Sequence, residues 1–159
     1  MIPHIGFGYD VHRLKEGEEL WLGGIRLEHS KGTVAHSDGD VLIHAVCDAL
    51  LGAANLRDIG FHFPDTSTEY KNIDSKILLS RTVALLKKKK YRIGNVDITV
   101  CLQRPKIKDH IELMRKTLAN LLTVSEDNVS VKATTTEQLG FVGREEGISC
   151  YAVALIFSI

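Results

Sequence analysis

"HIGFGYDVH", residues 4–12, decides the reading of the chain because its residues alternate. Ile5, Phe7, Tyr9 and Val11 point one way in an extended strand, and His4, Gly6, Gly8, Asp10 and His12 the other. One face is apolar and serves packing, and the other carries the chemistry. Asp10 and His12 sit at i and i+2, about 6 to 7 Å apart along the backbone, so both side chains can reach one ion. Spacing alone is equally satisfied by the polar side of an ordinary strand.

Downstream, "LWLGGIRL" reads as a short hairpin with Gly23 and Gly24 in the turn. "AHSDGDVLIHAVCDALLGAAN" follows, a helix capped by Ser37 or Asp38 and apolar around most of its circumference, as a buried helix must be. Asp40, His44, Cys47 and Asp48 share one face of it. His44 is the best third partner for Asp10 and His12, although a buried histidine bonded to a carbonyl meets the same pattern. Cys47 fits a small buried hydrophobe better than a ligand. Two imidazoles and a carboxylate suit zinc in an open site, with the fourth position free.

Residues 57–72 have no clean period and read as a long ordered loop. Asp74 caps a helix to about Lys90, with Leu78, Thr82, Leu85 and Leu86 inward and the lysines 87–90 as its solvated carboxyl end. "YRIGNVDITVCLQ" is a strand, "RPKIKDH" a basic turn, and "IELMRKTLANLL" an amphipathic helix. "NVSVKATTT" and "ISCYAVALIFSI" are strands around the loop "TEQLGFVGREEG". The order implies a single α+β domain over 1–159: a sandwich of a mixed four-stranded sheet with helices on one side, plus the small hairpin. The apolar residues on both faces of "YAVALIF" fit an oligomer interface or a doubly covered central strand.

The 20 basic and 20 acidic residues cancel, which gives no reason to expect nucleic acid or an anionic membrane as partner. Cys47, Cys101 and Cys150 are far apart, form no C-x-x-C pair and fit a reducing compartment. No run of about 18 apolar residues is present to span a membrane. An anionic ligand must therefore be held by local groups. His36 and Ser37 precede a helix start, where free N–H groups favour an anion. Thr134, Thr135 and Thr136 leave a strand towards Glu137, glycines and Arg144, a set able to hold phosphoryl oxygens and a hard cation.

The segments "GYDVHRL", "GGI", "AHSDGDVLIHAVCDALLGAANLRDIG", "FPDT", "GNVD", "QRPKI" and "VKATTTEQLGFVGREEGI", in this order from residue 6 to residue 148, resemble the 2-C-methyl-D-erythritol 2,4-cyclodiphosphate synthases of the non-mevalonate isoprenoid pathway. The resemblance implies a phosphorus-oxygen lyase that cyclises 4-diphosphocytidyl-2-C-methyl-D-erythritol 2-phosphate and releases CMP. It implies a homotrimer with active sites between subunits, zinc on Asp10, His12 and His44, and magnesium or manganese on Glu137. His36 and Thr135 would stabilise the transition state. Ser37, Asp58, Ile59, Gly60, Phe63, Pro64 and Asp65 would line the sugar-alcohol part of the site. Leu102, Gln103, Arg104, Pro105, Lys106, Ile107 and Lys108 would form the cytidine pocket, much of it through backbone groups. Thr134, Thr136, Phe141 and Arg144 would complete the substrate contacts. The family further suggests a central channel where Phe7, Arg144 and Glu146 meet an isoprenoid diphosphate. A bacterial member would be cytoplasmic, and one with a removed transit peptide would belong to a plastid-type organelle. A zinc phosphohydrolase and a non-enzymatic nucleotide- or isoprenoid-binding module are the rival readings.

Overall fold

The computed structural model describes all of residues 1–159. Its first strand, β1 (Pro3–Glu16), pairs antiparallel with the last, β7 (Gly147–Ser158), so the two ends of the sequence form the middle of the sheet. Between them run β2 (Leu20–Leu22), β3 (Ile25–Leu27), β4 (Lys31–Val34), α1 (Val41–Ala53), α2 (Ile59–His62), α3 (Ser75–Lys88), β5 (Tyr91–Cys101), α4 (Ile111–Leu122), β6 (Val129–Thr134) and α5 (Gly140–Gly143). The mixed sheet has the order β4-β1-β7-β5-β6, with only β5 and β6 parallel, and β2 with β3 makes the separate hairpin. The α+β sandwich and hairpin are as expected. The fifth strand is β4, four residues that include a glycine and a lysine, too short to stand out from a loop in the sequence.

Helices cover one face. Val96, Ile98, Val100, Ile148, Cys150, Ala152, Ala154 and Ile156 point from β5 and β7 into a core shared with α1, α3 and α4. Eleven of the thirteen α1 residues are buried, so tertiary burial rather than intrinsic propensity holds this helix. It lies directly on β1 because Gly6 and Gly8 have no side chains. A methyl at Gly8 would sit 2.8 Å from Ala49 N and 2.9 Å from the Ala45 carbonyl carbon. The covered side of β1 is thus its chemical side.

The apolar side of β1 does not pack within the chain. Ile5 is 74% exposed, Phe7 62%, Tyr9 41% and Val11 42%, and Tyr151 and Val153 beside them on β7 are similarly open. Alternation distinguishes two faces of a strand but does not say which one a helix will choose. The doubly covered alternative for "YAVALIF" is excluded within one chain, since its odd positions look outward.

The cap of α1 is Asp40, not Ser37 or Asp38. Its carboxylate accepts the N–H of Ile43, and also those of Gly23 and Gly24 in the hairpin turn, at 3.0, 3.0 and 2.7 Å. One buried side chain therefore satisfies a helix terminus and both amides of a tight turn. It also fills the helix N-terminus with its own carboxylate, so the anion-ready cap expected beside His36 and Ser37 does not exist. Residues 57–72 are more ordered than a loop: Asp58 caps the single turn of α2 by accepting from Phe61 N, and Thr68–Tyr70 form a 3-10 turn.

Candidate metal centre and substrate cleft

β1 and α1 between them build a triangle of ligand atoms. His12 Nε2 lies 2.9 Å from Asp10 Oδ2 and 3.1 Å from His44 Nδ1, and His44 Nδ1 lies 3.0 Å from the same Asp10 oxygen. A tetrahedral ion at the usual zinc–nitrogen distance of about 2.0–2.1 Å has vertices about 3.3 Å apart. Three edges near 3 Å fit three such vertices, with the fourth side facing a cleft. The expected convergence of Asp10, His12 and His44 is therefore present, and the donor set suits a divalent metal.

The electrostatics agree. Burial pushes the Asp10 carboxyl up, but hydrogen bonds from His12 and His44 and their charge outweigh it and bring the pKa down to about 2. Burial pushes His44 down, while Asp10, Asp40 and Asp38 together raise it. A site that gathers so much negative charge around two imidazoles is prepared for a cation. The far nitrogen of His44, Nε2, meets Ser75 Oγ at 2.9 Å and Ser37 Oγ at 3.2 Å.

His12 and His44 open onto a cleft of about 370 Å3 whose walls include His36, Ser37, Gly60, Phe63 and Asp65. His36 Nε2 donates to Ser67 O, which pins the ring and leaves its other nitrogen available. Asp58 stands at the cap of α2, Ile59 packs on the core, and the Ile59 N–H is held by Asp48 at 2.8 Å. Pro64 accepts from Ser67 N and so turns the chain under the cleft. Asp48 shares the α1 face of Asp40 and His44, as expected, but nothing in its spacing pointed to the Ile59 N–H as its partner. Tyr70 and Ile73, which carried no signal in the sequence, line the cleft together with Leu78, which was expected to point inward from its helix.

A second group of expected residues lies elsewhere. Val11 pairs with Ser149, Ser149 with Cys101, and Cys101 with Thr134, so three strand spacings, about 14 Å, separate the β1 site from the threonine segment. There Thr135 Oγ1 accepts from Glu137 N, Thr136 donates to Leu139 O, and Gln103 Oε1 accepts from Gln138 N. Glu137 is exposed at a left-handed φ of 54°. Leu102 and Ile107 are buried core residues, which leaves only their backbone for a ligand, while Lys106 and Lys108 are exposed and Pro105 is partly covered. Arg104 forks onto Glu145 at 3.0 and 3.1 Å, and Arg144 pairs with Glu146. Phe141 lies over Gly147 at the start of β7. The two groups of expected residues thus stand about 14 Å apart across the sheet of one chain.

Fold and triangle together define an α+β protein built around a candidate divalent-metal centre. Residues 4–157 match the YgbB family, and the chain belongs to it. It is 67% identical over 152 residues to the 2-C-methyl-D-erythritol 2,4-cyclodiphosphate synthase of Bacteroides thetaiotaomicron, covering 96% of each chain. The enzyme of the same name from Porphyromonas gingivalis is 60% identical over 154 residues, 97% of this chain and 95% of that one. Among solved structures, IspF of Plasmodium falciparum in complex with CDP superimposes with a TM-score of 0.86 at 38% identity, over 98% of this chain and 96% of that one. The bifunctional IspDF of Campylobacter jejuni gives 0.95 at 40% identity, over 99% of this chain and 43% of that longer one.

Proposed function

We infer that the protein converts 4-diphosphocytidyl-2-C-methyl-D-erythritol 2-phosphate to 2-C-methyl-D-erythritol 2,4-cyclodiphosphate and CMP. The observation that carries this reading is the Asp10–His12–His44 triangle opening onto the cleft, in a chain so close to enzymes of that name. An oxygen of the 2-phosphate attacks the β-phosphorus. The bond from that phosphorus to the oxygen bridging the α-phosphorus breaks, and CMP leaves with the electron pair. No protein nucleophile is needed; positioning and neutralisation of charge carry the catalysis.

Asp10, His12 and His44 hold zinc, and Glu137 holds magnesium or manganese with the diphosphate. Bound there, the metals supply positive charge and a Lewis-acid grip on phosphoryl oxygens. His36 and Thr135 offer donors to the oxygens that gain charge at the phosphorus. Ser37, Asp58, Gly60, Phe63 and Asp65 position the methylerythritol part, with Ile59 and Pro64 shaping its wall. The backbone of Leu102 to Lys108 takes the cytidine, and Thr134, Thr136, Phe141 and Arg144 close the site around the diphosphate.

The separation of about 14 Å between half-sites supports an assembly in which one chain's cleft is completed by another chain's threonine segment. A homotrimer does this and also covers the open apolar face of β1 and β7. An isoprenoid diphosphate in the channel along the trimer axis would meet Phe7, Arg144 and Glu146. The test is His44→Ala with product analysis by phosphorus NMR in oxygen-18 water. The variant should lose bound zinc and cyclisation together, and the unmutated protein should incorporate no solvent oxygen. Full activity without metal, or a labelled linear phosphate, would overturn the reading.

A further inference from the structure

A chain of hydrogen bonds that begins two elements away ends on Nε2 of His44. Asp38 precedes α1, and Ser75 is the first residue of α3, fully buried beneath the triangle. Asp38 Oδ2 accepts the Ser75 N–H at 2.9 Å, and Asp38 Oδ1 accepts both the Ser75 hydroxyl and the Asp40 N–H. A carboxylate has only lone pairs to offer, so the single hydroxyl proton of Ser75 points at Asp38. Ser75 Oγ can then only accept from His44 Nε2, 2.9 Å away. Ser37 Oγ, at 3.2 Å, is a longer second acceptor for the same N–H. With a ring proton held on Nε2 by Ser75, the exchangeable position is Nδ1, whose contact with Asp10 Oδ2 at 3.0 Å is the one a cation takes over.

We propose that Asp38 and Ser75 are positioning residues that hold a proton on His44 Nε2 and fix the ring orientation, so that Nδ1 and not Nε2 is the nitrogen a metal ion engages. This rests on the reading of the triangle as a metal centre and adds a partner set to it. Outer partners of this kind usually contribute 10- to 100-fold in metal affinity. Their loss should appear in binding itself, independently of turnover.

The experiment is a zinc titration of the full chain against a chromophoric chelator. The unmutated protein, His44→Ala, Ser75→Ala, Ser37→Ala with Ser75→Ala, and Asp38→Asn are compared after their metal-free folded fractions have been matched by thermal unfolding. Ser75→Ala should bind zinc about 10-fold more weakly, and the double variant more weakly still. In Asp38→Asn the amide can donate to Ser75 Oγ and turn its hydroxyl proton towards His44, which moves the ring proton to Nδ1. That variant should lose about 100-fold. If Ser75→Ala and Asp38→Asn both bind within threefold of the unmutated protein while His44→Ala does not bind, the relay is overturned and the metal centre stands. If His44→Ala binds as well as the unmutated protein, the metal centre itself fails and the relay with it. Should the variants not fold, nitrogen-15 NMR of the zinc-loaded unmutated chain decides the point: a proton on His44 Nε2 supports the relay, and zinc on Nε2 overturns it.

Discussion

Gly8→Ala should damage both the fold and the metal centre. The added methyl would stand 2.8 Å from Ala49 N and 2.9 Å from the Ala45 carbonyl carbon, at least 0.5 Å inside the 3.4 Å where ordinary contact begins, and nearer still to Ala45 O. What it meets is helix backbone, which has no rotamer to change, so α1 must move off β1. Overpacking of this kind costs about 1–3 kcal/mol, and the upper end applies because a whole helix is displaced. His44 is the neighbour of Ala45, and Asp10 lies two residues beyond Gly8. The 3.0 Å Asp10–His44 edge widens with the helix, and zinc binding weakens alongside stability. Gly52→Ala is the control, on the same helix where an added Cβ meets nothing within 4 Å; there the change should stabilise by up to ~1 kcal/mol. Urea unfolding at one protein concentration, with zinc titration on the same samples, reads both effects. A Gly8→Ala protein within ~0.5 kcal/mol of the unmutated one, binding zinc normally, would refute the close approach of strand and helix.

Asp40→Ala strands the amides of Gly23, Gly24 and Ile43 and should cost about 3 kcal/mol or more, read by urea unfolding. Val153→Asp places a charge in the middle of the open apolar face and should release single chains in analytical ultracentrifugation, whereas an unchanged mass would show that this face is not the interface. Cys47 and Cys150 are fully buried; burial pushes the Cys47 thiol up to about 12 and the Cys150 thiol upward as well. Neither should react with iodoacetamide at pH 8 until the protein is unfolded, and rapid native labelling at either position would contradict their burial.

The elements were legible where period and length agreed: α4 spans Ile111–Leu122, the expected segment, and the Gly23–Gly24 turn joins two strands as expected. The metal triangle was half legible. Asp10 and His12 share a strand face by simple alternation, but His44 reaches them only because two glycines admit α1, a contact between elements that no local spacing encodes. The cap of α1 was misplaced because Ser37, Asp38 and Asp40 are all good capping residues. The choice was made by the hairpin turn, whose two amides needed the same carboxylate. Asp38 was thereby released for Ser75. Which side of β1 stays bare was illegible for a related reason, since the apolar residues that would attract a helix also serve an interface.

The two glycines of β1 also act as a gauge. With α1 seated on bare main chain, the opening among Asp10, His12 and His44 has no slack in the direction of the helix. Calcium prefers six to eight oxygen ligands at about 2.3–2.6 Å, and to admit it the helix would have to back away from the strand. At this candidate centre, discrimination against large, hard ions would thus be set by the distance between two backbones as well as by the ligands themselves, and enlarging either glycine should relax it.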